Sequence, residues 1–262
     1  MTRVIAIANQ KGGAGKSTVT TNLAVALGEA GQRTLVIDID PQFDTTAMLG
    51  RDPQDAAGTI ADVFLGEAEA ADVLVPDVTP GVSLLSGDAR MSDVELTLVS
   101  QVRREEFLAE AVRDVLPEFD VAVIDCPPNL GLLTVNALFA AAEVLIPISM
   151  IDRNAYKGAS TLLATLETLR RRRVDVRTLG LLRNNVDERR NTYQTLDEAL
   201  PALGAPLLEA RIPMRSGFHD ATTEGVPLMI RKPDGRAAQA FRLLATEVLE
   251  SAVATDVLVE AA

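Results

Sequence analysis

The chain has no tryptophan, one histidine and one cysteine, and aromatic residues make up only 3% of its 262 positions. A lone Cys126 excludes an intrachain disulfide and cannot by itself ligate a metal cluster. With so few aromatics, any contact with a nucleic acid has to run through phosphates and not through stacked bases. No apolar stretch approaches the 18 or so residues of a membrane span, and the first apolar run is too short for a signal peptide, so a cytosolic protein is expected. Hydrophobic residues are nevertheless 47% of the chain, enough for one substantial core, and residues 1–262 are expected to form a single domain.

Charge is plentiful but uneven. The net charge is −12, yet basic and acidic side chains number 9 against 22 in residues 1–150, 16 against 11 in 151–242 and 0 against 4 in 243–262. A basic surface confined to 151–242 suits either a phosphate-binding patch or a solvated helix face.

What the chain does have is glycine in one telling place, the run Lys11-Gly-Gly-Ala-Gly-Lys-Ser-Thr18. Gly12, Gly13 and Gly15 let the backbone curl with its N–H groups inward around Ala14, Lys16 supplies a point charge, and Ser17 and Thr18 supply hydroxyls, Ser17 for Mg²⁺. The first glycine of the general G-x-x-x-x-G-K-[ST] pattern is replaced by Gln10, and the stricter variant K-G-G-x-G-K-[ST] is met. Val4 to Ala8 before the loop reads as a buried strand, and Val19, Leu23, Ala26 and Leu27 after it recur at helical spacing up to Gly31. Strand, loop and helix N-terminus is the setting in which free N–H groups and the helix dipole favour a nucleoside triphosphate.

Strand-like runs at 3–8, 33–38, 82–86, 119–125, 143–149, 178–183 and 207–212 alternate with helical segments. This predicts an α/β fold, a P-loop NTPase with a largely parallel twisted sheet flanked by helices. Residues 50–81, rich in Asp, Ala, Gly and Pro, are the stretch expected to be mobile. The phosphate loop, Asp38, Asp40 and Asp125 all stand at carboxyl ends of strands, where ligands of such sheets gather. Asp38 and Asp40 share a side if the strand persists to Pro41, and carboxylates beside a triphosphate call for a hard cation, so Asp38 and Asp125 are candidate Mg²⁺ residues together with Ser17.

The variant loop, with Leu35-Val-Ile-Asp-Ile-Asp-Pro-Gln42, Val121-Ala-Val-Ile-Asp-Cys-Pro-Pro128, Ile212-Pro213 and Gly225-Val-Pro227, resembles the deviant Walker A box and neighbouring motifs of the ParA/MinD family of ATPases, in its ParA branch. The resemblance spans nearly the whole chain. It implies a slow Mg²⁺-dependent ATPase that forms a homodimer around ATP, with Lys11 crossing to the partner's phosphates, Lys16 acting in cis and Asp40 positioning the attacking water. It places Asn185 and Pro213 near adenine, although both also read as strand-end and loop residues. It further implies nonspecific binding to double-stranded DNA through Arg189, with Arg190 beside it, a ParB-like adaptor that stimulates hydrolysis, and a nucleoid-associated location. No helix-turn-helix segment is expected ahead of the first strand. The cargo that the resemblance implies is a chromosome, a plasmid or a protein body, and the sequence does not choose among them.

Two departures from the family pattern stand out: Phe43-Asp44 where Gly-Asn is usual, and Ser149-Met-Ile-Asp-Arg-Asn-Ala-Tyr156, one residue longer than usual. The run Arg170 to Arg173 ends a helix patterned over 159–169, where it suits the helix dipole as well as DNA. Two relatives of the loop are disfavoured. The nitrogenase iron protein needs two cysteines, and a MinD-like membrane switch needs a basic amphipathic C-terminal helix, absent from 243–262. His219 reads as a surface or interface residue, and Cys126 as packing beside Asp125.

Overall fold

The computed structural model describes residues 2–172, 174–214 and 217–260, without the side chains of 219–222 and 252–260. His219 and Arg173 therefore lie outside the described side chains. The first half runs β1 (Arg3–Ile7), α1 (Lys16–Glu29), β2 (Thr34–Asp38), α2 (Asp44–Met48), α3 (Ile60–Leu65), α4 (Ala70–Val73), β3 (Leu74–Thr79), β4 (Val82–Leu85), α5 (Met91–Leu98) and α6 (Phe107–Ala111). The second half continues β5 (Val121–Asp125), α7 (Leu132–Ala140), β6 (Glu143–Ser149), α8 (Ala155–Arg171), β7 (Arg177–Val186), α9 (Asn191–Ala199), β8 (Leu207–Pro213), α10 (Gly217–Glu224), α11 (Leu228–Arg231) and α12 (Arg236–Glu260).

The strands form one sheet in the order β3-β4-β2-β5-β1-β6-β7-β8, parallel throughout except for β3, which pairs antiparallel with β4 at the edge. β2, β5 and β6 are buried at every position, as strands covered on both faces must be. Alternation along β1 divides the core: Val4 and Ala6 face the layer that includes Leu133 of α7 and Leu162 of α8, and Ile5 and Ile7 face the layer that includes Leu23 of α1 and Phe241 of α12. Burial of these apolar faces, at roughly 25 cal/mol per Å², supplies the main stabilising term.

Three expectations change. Residues 50–81, expected to be mobile, carry a 3₁₀ turn at Pro53–Asp55, α3, α4 and the edge strand β3. Their order begins with a reciprocal cap, in which Asp62 accepts the Thr59 N–H at 2.7 Å while the Thr59 hydroxyl accepts the Ala61 N–H at 3.3 Å. β3 was invisible to pattern reading because Pro76 and Asp77 interrupt it, features an edge strand tolerates. β7 runs to Val186, three residues past its expected end, which brings Asn184 and Asn185 into the sheet.

Sheet order also positions the site. β1 lies between β5 and β6, and the chain leaves it first towards β2 and later towards β7 and β8. This reversal opens a crevice beyond the carboxyl ends of the central strands.

Candidate functional site

β1 feeds the glycine loop directly. Gly13 and Gly15 adopt φ of 74° and 84°, a left-handed conformation that costs a side-chain-bearing residue strain, and α1 starts at Lys16. Two side chains clamp the loop. Asn9, buried, donates through Nδ2 to the Pro147 carbonyl at 2.7 Å and accepts the Lys11 N–H at 3.1 Å. Asn184, also buried, donates to the Ala14 carbonyl at 2.7 Å.

The loop opens into a cleft of about 390 Å³ lined by Gly12, Gly13, Gly15, Lys16, Ser17 and Thr18 on one side. Asp40, Gln42, Asp44 and Met48 line another side, with Pro128, Asn184, Asn185 and Phe218 completing it. Asn185 thus reaches this cleft. Pro213 does not: it ends β8 opposite Val186 and lines a neighbouring cavity.

The carboxylates fall into two layers. Asp40 lines the cleft and is held by the Gln42 N–H at 3.0 Å. Asp44 joins it there, its carboxyl raised by burial and by the charge of Asp40 and lowered by Lys16. Behind them, Asp38 and Asp125 lie side by side in register on β2 and β5, both with no exposed surface. Asp125 accepts from the Thr45 hydroxyl at 2.7 Å and the Thr20 hydroxyl at 3.4 Å, and Ser17 hydrogen-bonds to it as well. Burial pushes it up to about 6, against the opposing pull of Lys16. Asp38 is raised well above its usual value by burial and by the charge of Asp125. Its oxygens accept the Thr46 N–H at 2.8 Å, the Thr46 hydroxyl at 2.7 Å and the Asp40 N–H at 3.2 Å. Thr46 in turn accepts the Gly87 N–H at 2.9 Å, so Asp38 ties β2, α2 and the segment after β4 together.

The donors around Ser17 are all oxygens, the chemistry of a hard cation, and no group of three or more His, Cys, Asp or Glu among the described residues forms a metal cage. That set fits Mg²⁺, which keeps waters and shares phosphate oxygens. Cys126 is buried, and desolvation with the Asp125 charge pushes its thiol up, leaving it without reactivity.

Lys11 stands outside the cleft, its Nζ 3.3 Å from Asp152 Oδ2. Asp152 belongs to the segment between β6 and α8 that departs from the family pattern.

Beside the cleft, at the carboxyl ends of β7 and β8, a cavity of about 790 Å³ is lined by Arg189, Arg190, Arg211 and Arg236 with Asp187, Glu188 and Pro213. Asp187 accepts from Arg189 Nε at 2.8 Å and from Arg190 Nε at 3.3 Å, and Arg189 holds it down to about 2. Arg211 donates to Tyr193 Oη at 3.1 Å and lies 3.4 Å from Glu188. The Arg170 side chain, by contrast, closes the end of α8 by donating to the Val176 carbonyl at 2.8 Å. It stands at the opposite end of β7 from Arg189, and a strand of that length spans roughly 33 Å.

Sequence reading gave no role to Asn184, Thr45, Thr46 or Asp152, nor to Gly158 of α8, where an added Cβ would lie 2.7 Å from Asn9 Oδ1. Asn184 carried a signal, as the neighbour of a residue already singled out. Asp152 lies in the 149–156 departure from the family pattern, but its pairing with Lys11 was not visible, and the threonines carried no signal because their partners are remote in sequence.

Residues 2–178 match the family model described as an AAA domain. The sporulation initiation inhibitor protein Soj of Bacillus subtilis is 33% identical over 95% of this chain and 98% of its own. The chromosome partitioning protein ParA of Caulobacter vibrioides is 34% identical over 94% of each chain. Among solved structures, cobyrinic acid a,c-diamide synthase from Mycobacterium smegmatis with bound ATP analogue and magnesium superposes with a TM-score of 0.84, at 32% identity, over 95% of this chain and 94% of that one.

Proposed function

Since the chain belongs to the ParA/MinD-type partition and positioning ATPases, which work with ATP and Mg²⁺, we propose that ATP closes two copies into a dimer that binds double-stranded DNA without sequence preference. Lys16 and the loop N–H groups receive the phosphates. Ser17, with Asp125 behind it, would hold Mg²⁺, which supplies charge neutralisation when bound. Asp38 acts one layer deeper, fixing Thr46 and the Asp40 amide. Asp40, aimed into the cleft, orients the attacking water. Lys11 leaves Asp152 and crosses to the partner's phosphates on closure. Turnover is slow, and the ATP state persists as a switch. A ParB-like or other adaptor then triggers hydrolysis, so that the protein follows the nucleoid and positions a chromosome, plasmid or protein cargo.

The observation that carries this reading is the end of β7. Asn184 and Asn185 line the nucleotide cleft, and a few residues on Arg189 and Arg190 line the arginine cavity. One strand end therefore joins the nucleotide cleft to the arginine cavity. Arg189 is 89% exposed and shares Asp187 with Arg190, leaving net positive charge for phosphates.

Duplex binding measured with ATP across a salt series tests it. Each neutralised phosphate contributes about −0.9 to the slope of log affinity against log salt, so Arg189→Glu should weaken binding sharply and flatten the slope by roughly two per dimer. The ATP-bound dimer should survive. Unchanged affinity and slope would remove Arg189 from the DNA face, and wild-type protein indifferent to DNA would move the reading towards the metabolic enzymes of this fold.

A further inference from the structure

A third large cavity lies apart from both the nucleotide and arginine sites. It encloses about 830 Å³ between α3, α5 and the α6 segment and shares no lining residue with either. Its floor is apolar, with Phe64, Leu98 and Val115 buried and Phe107 half-buried, and Leu65 stays 37% exposed at its mouth. Its rim is acidic: Glu69 on one side, and on the other Glu110, Asp114 and Glu118, which follow one another at four-residue spacing into β5. Among the described residues, no lysine or arginine lines it. Glu110 lies 3.9 Å from each of Arg103 and Arg113, which stand outside the lining.

We infer that this groove docks a cationic amphipathic helix of a partner protein. Apolar side chains at i, i+3, i+4 and i+7 would enter the floor, as helices do in hydrophobic grooves, and lysines or arginines spaced a turn apart would meet the carboxylate row. The same charge rejects other occupants. DNA and anionic lipid are repelled by a half-chain with 9 basic against 22 acidic residues. The surface needs neither ATP nor DNA, so it stands or falls apart from the nucleotide reading. Its distance from the arginine cavity would let one molecule hold DNA and a basic partner segment at once.

The test uses the full chain and a fluorescent peptide of about 18 residues, long enough to be helical, with leucine on one face and lysine elsewhere. Two controls replace lysine by glutamate or scramble the order so that the apolar face is lost. Anisotropy should show the ordered cationic peptide binding at least about tenfold more tightly than either control. Asp114→Lys with Glu118→Lys should weaken it by about tenfold or more, while the equal charge change Asp175→Lys with Glu198→Lys, away from the groove, should cost less than about twofold. Hydrogen exchange should show protection at 63–71, 94–101 and 107–118. Equal binding of the scrambled peptide, a footprint elsewhere, equal losses in both charge variants, or protection of these segments by duplex DNA or anionic vesicles would overturn the proposal.

Discussion

Lys11 Nζ lies 3.3 Å from Asp152 Oδ2, which holds the front lysine of the phosphate loop against the same subunit. Both side chains are partly exposed, at 38% and 29%, and such a pair is worth only ~0.2–1 kcal/mol. Asp152→Asn should therefore lower the ATP concentration for half-maximal dimerisation by about 1.4- to 5-fold. Lys11→Ala should keep nucleotide binding but lose productive dimerisation and hydrolysis. Light scattering and phosphate release measure both, and wild-type turnover by Lys11→Ala would reject the trans role.

Asp40 and Asp38 should separate cleanly on mutation. Asp40→Ala removes a cleft-lining carboxylate and should bind ATP, accumulate as dimer and hydrolyse about 10²-fold more slowly or worse. Asp38→Ala strips the acceptor from Thr46 and the Asp40 N–H and should lower stability by about 1–3 kcal/mol per donor left unsatisfied. Thermal melts without nucleotide distinguish the two: a large loss in Asp40→Ala and none in Asp38→Ala would reverse the assignment.

The buried pair makes nucleotide-free stability depend on pH in an unusual direction. Asp125 is raised from 3.8 to about 6, so the native state keeps a proton that the unfolded chain has released. Its contribution is full below 3.8 and is lost as pH rises through about 6; Asp38 adds in the same direction. Asp120 and Asp187, held down to about 2 by Arg33 and Arg189, act only at lower pH and do not oppose this window. The protein should melt higher at pH 5 than at pH 7.5, and Asp125→Asn should raise the melting temperature at pH 7.5 and shrink the difference, the remainder coming from buried Asp38. A melting temperature that climbs between these values in wild type would refute the sign.

Gly158 on α8 should be as demanding as the loop glycines. A Cβ there would lie 2.7 Å from Asn9 Oδ1 and 3.2 Å from Lys11 Cβ, so Gly158→Ala must displace the front of the phosphate loop. Weaker ATP binding with a near-native circular dichroism spectrum is expected. Unaltered affinity would show that Asn9 can give way.

The nucleotide half of the site was legible because its chemistry is local. Gly13 and Gly15 need their conformations within a few residues, Lys16 and Ser17 follow on the helix that begins there, and each aspartate ends an apolar run that can only be a covered strand. Order among the strands was not legible, nor was the pairing that sets Asp38 against Asp125. Period-two alternation says which face a residue takes but not which strand lies beside it.

The sequence by itself determined that a phosphate loop sits between strand and helix, that carboxylates gather at strand ends, and that positive charge is confined to residues 151–242, since these depend on neighbours along the chain. Only the tertiary structure decided that Asn184 clamps the loop from 170 residues away, that Asp152 holds Lys11, that Arg170 is tied to the end of the strand opposite Arg189, and that acids from 69 to 118 rim one apolar groove. Each of these is a contact between segments whose meeting is set by sheet order and helix packing, and that free energy is shared over the whole core and not written in any single window of sequence.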